Sequence, residues 1–146
     1  MNERLIKNAE IDRILENFSS WLPWEACKKN PKLQSPGIYL IRVSGDPAEK
    51  APHLTPDTIY IGETCSQTVA ARLSQFESSA LRNVRAHSGG TTFANSKIEG
   101  EFYFSYFCPA ITAEPMLAAY IRYVERALIF GYTERFSNQL PKCNSK

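Results

Sequence analysis

A small α/β fold (α+β in its layering), with a three-stranded, largely antiparallel sheet flanked by helices, is predicted from three observations. Two stretches rich in β-branched and aromatic residues, 37–43 and 58–62, follow one another across a Pro-rich connection. A third aromatic stretch, 102–107, lies between two segments whose apolar residues recur at helical spacing. The chain of 146 residues, 43% hydrophobic and 22% charged, matches one ordinary globular unit with a single core.

The elements follow in order. Ile11, Ile14, Leu15, Phe18 and Leu22 have helical spacing, and Pro23 ends that helix. Residues 24–35 are mixed, and Lys28, Lys29 and Lys32 make a short basic stretch within them. This stretch reads as a solvated loop, with a phosphate-contacting arm as the alternative. Gly37-Ile38-Tyr39-Leu40-Ile41-Arg42-Val43 reads as a strand. Residues 44–57, with Pro47, Pro52 and Pro56, form a loop that leads to a second strand over 58–62. The two strands pair as a hairpin with a long connection. Thr64 followed by Gln67 fits a capping box, and Val69, Leu73, Phe76, Ala80 and Val84 mark one face of the next helix. The run His87-Ser88-Gly89-Gly90-Thr91-Thr92 reads as a loop, and 102–107 as a strand. Pro115 sits where a helix start tolerates it, Leu117, Ile121, Val124 and Leu128 form the buried stripe, and Gly131 marks the end. Residues 1–36 are expected to be a helix and basic linker packing on a domain of residues 37–146, the whole forming one globular unit.

Composition narrows the function. With 17 Lys and Arg against 15 Asp and Glu, the net charge is +2, so any positive field for nucleic acid must be local. Cys27, Cys65, Cys108 and Cys143 form no Cys-x-x-Cys pair, and His53 and His87 lack zinc-ligand spacing. Reduced thiols in a cytoplasmic protein are expected. No apolar run approaches the ~20 residues of a membrane span, and the charged N-terminal segment argues against a signal peptide.

Two tripeptides stand out together: Gly37-Ile38-Tyr39 on one strand and Tyr60-Ile61-Gly62 on the next. As a pair they resemble the signature of the GIY-YIG nuclease family. Arg72 in the following helix, Glu125 in a later helix and Asn138 beyond it fall in the matching order, so the resemblance covers residues 37–138. The long stretch between the tripeptides is similar to the restriction-enzyme branch. Glu63 stands where some repair members carry lysine, and Phe76, one helical turn after Arg72, where many have tyrosine or histidine. The resemblance implies an endonuclease that hydrolyses DNA phosphodiester bonds with magnesium or manganese. RNA stays open as a substrate, no membrane is involved, and a homodimer is favoured if both strands are cut. A second reading keeps the fold without turnover, as a module binding branched or single-stranded nucleic acid.

The residues fit such chemistry in stated roles. Magnesium takes one or two carboxylates and leaves its other positions to water and phosphate, so Glu125 suffices as the protein ligand. At ~100° per residue Glu125 falls at the edge of its helix's apolar stripe, whereas Arg122 and Arg126 point outward. A flanking carboxylate in a salt bridge is the plain alternative. Arg72 offers a guanidinium fork to the scissile phosphate, against the reading of an ordinary surface arginine. By the resemblance, Tyr60 accepts the proton of the attacking water and Tyr39 orients the water or contacts phosphate. Gly37 and Gly62 allow close approach of a ligand or a neighbouring strand. His87 is either a mobile proton carrier making up for Phe76 or a plain loop histidine. Asn138 either contacts the Glu125 region or phosphate, or simply terminates a helix. Tyr39, Tyr60, Arg72 and Glu125 are expected around one concave patch.

Overall fold

The computed structural model describes residues 8–44, 53–82 and 84–145. Among these it is mixed α+β, with helices α1 (Asn8–Leu15), α2 (Val69–Arg82), α3 (Ser88–Ala94) and α4 (Glu114–Arg135). Four strands, β1 (Leu22–Pro23), β2 (Gly37–Ser44), β3 (Thr58–Thr64) and β4 (Glu101–Phe107), form one antiparallel sheet in the order β1-β4-β2-β3. The expected three-stranded sheet thus gains a strand, because Leu22 and Pro23 pair with Phe104 and Tyr103. Leu22 therefore belongs to the sheet and not to the first helix. That helix stops at Leu15 because Asn17 donates its side-chain amide to the carbonyls of Arg13 and Ile14. The Ser19 N–H then bonds Tyr106 O at 2.9 Å, which commits the chain to β4.

β2 is central and buried along nearly its whole length, as a strand covered on both faces must be. Its side chains alternate between two layers. Ile38 and Leu40, with Ile61 of β3, pack against Ile11 and Ile14 of α1 and Ile121, Val124 and Leu128 of α4. Tyr39, Ile41 and Val43, with Phe104 of β4, face Val69, Leu73 and Phe76 of α2. Arg42, the one charge in β2, is almost fully buried; it pairs with Asp57 at 2.8 Å and lies over the Trp21 ring. The hairpin of β2 and β3 forms as expected. Of the connecting loop, residues 45–52, including Pro47 and Pro52, lie outside the described residues.

Three further expectations change. Thr68 caps α2, accepting the Ala71 N–H, while Thr64 and Gln67 close a turn ahead of it; Val84 falls beyond the helix and is exposed. The segment after His87 is a helix, α3, with His87 as its N-cap. α4 runs on to Arg135, since Gly131 is a contact point and not a terminator. A Cβ at 131 would come 3.2 Å from Ile11 Cδ1, so the missing side chain lets α1 and α4 approach. No helix among the described residues is long and apolar enough to cross a membrane.

β3 is an edge strand, and the C-terminal segment covers its free side. Cys143 donates its N–H to Ile59 O, and the Asn144 side chain both accepts from Ile61 N and donates to Ile61 O, each at 2.9 Å. Satisfying an edge in this way blocks pairing with another chain. Replacing Asn144 with Ala should cost about 1–3 kcal/mol in urea unfolding, the range for orphaned backbone groups, and should speed hydrogen exchange at the Ile61 amide. Unchanged exchange at Ile61 would contradict this role.

Candidate active site

The β2–β3 register sets Tyr39 opposite Gly62 and Ile41 opposite Tyr60. Because side chains alternate along a strand, Tyr39, Tyr60 and position 62 share the face that meets α2. The two tyrosine rings lie 6.0 Å apart between centroids. They occupy the space where a side chain at 62 would be: a Cβ there would come 2.4 Å from Tyr60 Cε2 and 2.7 Å from Tyr39 Oη. The glycine of the second tripeptide thus makes room for the tyrosine pair.

His87 completes the group. Its Nε2 lies 2.8 Å from Tyr39 Oη, and its ring packs edge-on against Tyr60 and Phe76 at 5.0 and 5.3 Å. With 3% of its surface exposed, it is a fixed interior residue and not a mobile loop histidine. Burial, reinforced by the nearby Arg72 charge, pulls its pKa down to about 3, so it is neutral at working pH. Arg72, half-buried on α2, hydrogen-bonds Gln75, and its charge acts on both tyrosines. Burial pushes both hydroxyls above the ordinary tyrosine range. On Tyr60, Arg72 and the Ser88 side chain oppose that rise, while Glu125 adds to it. Phe76 is fully buried beneath His87 and offers no polar group.

Glu125 enters from elsewhere. Its neighbours on α4 pack with Ile38, Leu40 and Ile61, on the sheet face opposite the tyrosines. Of the residues expected around one concave patch, Tyr39, Tyr60 and Arg72 share one layer with His87, and Glu125 is carried by α4 on the other. Because β3 is the edge strand, Glu125 remains close enough for its charge to raise Tyr60. Glu63 of β3 shares the α4 face with Ile61, and its charge acts on Glu125. No group of three or more His, Cys, Asp or Glu able to hold a metal occurs among the described residues. Two mutually repelling carboxylates nevertheless suit a hard cation that keeps several waters.

Asn138 is accounted for by the end of α4. Its φ is +61°, a region asparagine tolerates, and its N–H bonds Thr133 O at 2.9 Å, with the residue itself exposed. Sequence reasoning missed Ser79, a buried hydroxyl that accepts the N–H groups of Ala86 and His87 and so anchors the segment before α3. A serine on an apolar helix stripe was the available signal.

No protein-family model matches this chain, and neither does any curated protein or solved structure.

Glu125 gives the site a pH signature. Burial first, then the charge of Glu63, with Arg126 opposing, raises its pKa from 4.5 to about 7. Between those values the folded protein holds a proton that the unfolded chain releases, so this group's contribution to stability falls as pH rises. Buried neutral His87 acts in the opposite direction, removing stability as pH drops below 6.5. Glu125→Gln should therefore gain stability relative to wild type as pH rises from about 4.5 to 7. Parallel melting-temperature curves across that range would show that Glu125 is not shifted.

Proposed function

We propose that this chain is a GIY-YIG-type endonuclease that hydrolyses phosphodiester bonds in DNA with magnesium, or manganese, as cofactor. The observation that carries the reading is the convergence of both signature tyrosines, Arg72 and His87 on one side of an edge strand, with Glu125 in electrostatic reach of Tyr60. Hydrolysis needs a placed water, charge to match the developing phosphorane, and a route for the water's proton. Arg72 supplies a fixed cation beside both hydroxyls. Tyr39, fully buried, protonated and held by His87, positions the Tyr60 ring beside it. Tyr60 releases its own proton to solvent and then accepts that of the attacking water, with Arg72 and Ser88 favouring the ionised form between the two steps. Glu125, with Glu63 beside it, is the carboxylate that holds magnesium, which when bound supplies positive charge to the phosphate oxygens. Gly62 serves phosphate binding only through the tyrosines it admits, and Asn138 takes no part in this mechanism.

A second reading, a catalytically impaired module that binds branched or single-stranded nucleic acid, is favoured by one observation. Glu125 and the tyrosines stand on opposite sheet faces, with the extra carboxylate of Glu63 on the side of Glu125.

Two variants separate the readings. Glu125→Gln should abolish magnesium-dependent cleavage while DNA binding survives, because phosphate contacts do not need that carboxylate; Glu134→Gln is the control. Equal cleavage by the two variants would remove Glu125 from the reaction and favour the binding module. Arg72→Ala should lower kcat/KM by roughly 10²- to 10³-fold, as for loss of one preorganised donor to a transition state. Its stability should fall by no more than about 1.5 kcal/mol, as for the loss of a partly exposed hydrogen-bonded side chain. A large fall in melting temperature would make Arg72 a structural residue.

A further inference from the structure

We propose, building on the nuclease reading, that His87-Ser88-Gly89-Gly90 is the positioning element of the tyrosine pair, in which His87 acts as a hydrogen-bond donor that fixes the buried Tyr39 hydroxyl and, through it, the Tyr60 ring packed beside it.

The polarity follows from two contacts on one ring. The Gly90 N–H points at His87 Nδ1, 3.2 Å away, so Nδ1 must present a lone pair. A neutral imidazole with its lone pair at Nδ1 carries its proton on Nε2, and Nε2 is the atom 2.8 Å from Tyr39 Oη. The histidine is therefore the donor in that bond and the phenol oxygen the acceptor. An imidazolium would set Nδ1–H against the Gly90 N–H, in a pocket walled by the Tyr60 and Phe76 rings. With His87 donating to its oxygen, Tyr39 keeps its own proton, and that proton must point away from the imidazole.

Each residue of the segment bears on the tyrosine pair or on His87. The backbone before α3 is pinned to α2, since Ala86 and His87 both donate to Ser79 Oγ, at 3.0 and 2.8 Å. Ser88 stands at the Tyr60 hydroxyl and favours its ionised form. Gly89 lines the second wall of a slot for the Tyr60 ring. A Cβ at 89 would come 2.5 Å from Tyr60 Cε1, as one at Gly62 would come 2.4 Å from Cε2 on the opposite edge. Gly90 supplies the N–H that fixes the histidine tautomer. Capping alone does not explain the histidine, because Asn, Asp or Ser accepts the same N–H in the usual way. What histidine adds is a second nitrogen aimed at Tyr39.

The test uses the full chain, with one readout independent of cleavage. Nitrogen-15 NMR of histidine-labelled protein should show His87 as the neutral Nε2–H tautomer from pH 5 to 8, with its signal shifted in Tyr39→Phe. The Nδ1–H tautomer, or an imidazolium in that range, would overturn the proposal. For activity, His87→Asn keeps a cap acceptor and has no group at the Nε2 position, whereas His87→Gln places an amide N–H there and gives up the cap. His87→Asn should melt below wild type for the void it leaves against the Tyr60 and Phe76 rings, and kcat in plasmid-nicking assays should fall about 10²-fold with little change in KM. His87→Gln should melt lower yet retain kcat within about tenfold of wild type. Wild-type kcat in His87→Asn would also overturn the proposal. If the wild-type protein cleaves nothing, the nuclease reading fails by itself, and the tautomer and its response to Tyr39→Phe still decide the polarity of the contact.

Discussion

The pairing of Tyr39 with Gly62 is the constraint on which the site depends. Strand side chains alternate with a period of two, so a one-residue slip of β3 on β2 would send Tyr60 to the α4 side and bring Ile61 to the α2 side. The slip is resisted on both faces at once. Ile38, Leu40 and Ile61 are buried against α1 and α4, while Tyr39 and Ile41 are buried against α2. The Asn144 side chain brackets Ile61 from outside and fixes the same register at the edge. With no side chain at 62, the two rings close over the strand and meet His87.

From that register the protonation pattern of the site follows. The tyrosines and His87 are buried together, and burial disfavours charge on each of them, so these three are neutral, with the Arg72 charge beside them. Two carboxylates, Glu63 and Glu125, interact on the α4 side. Of the group on the α2 side, Tyr39 and His87 are enclosed, and Tyr60 and Arg72 are the partly exposed members. The split between the two layers follows from the alternation of side chains along β2 and β3.

The sequence was legible where one local rule acted alone. The strands over 37–43 and 58–62, the hairpin they make, and the stripe Ile121, Val124 and Leu128 were read from period and residue type, and the structure has them. Tyr39, Tyr60, Arg72 and His87 were singled out, and they converge. Misreadings arose where a residue has two uses. Gly131 reads as a helix terminator, yet it is the small residue that lets α1 approach α4. His87-Ser88-Gly89-Gly90 reads as a loop by composition, yet its glycines admit the Tyr60 ring and its histidine caps a helix. Leu22 continues a helical period, but the Ser19 contacts with β4 take the chain into the sheet. The side of the sheet from which Glu125 approaches is a property of the strand order, which no local pattern encodes.

The most direct measurement is cleavage of supercoiled plasmid and of branched, single-stranded and duplex oligonucleotides by the wild-type protein, with magnesium, with manganese and with chelator. The endonuclease reading predicts nicked or linear products with either metal and none with chelator. Intact substrates under every condition, together with salt-sensitive binding to the same DNA, would contradict it and identify a binding module in its place.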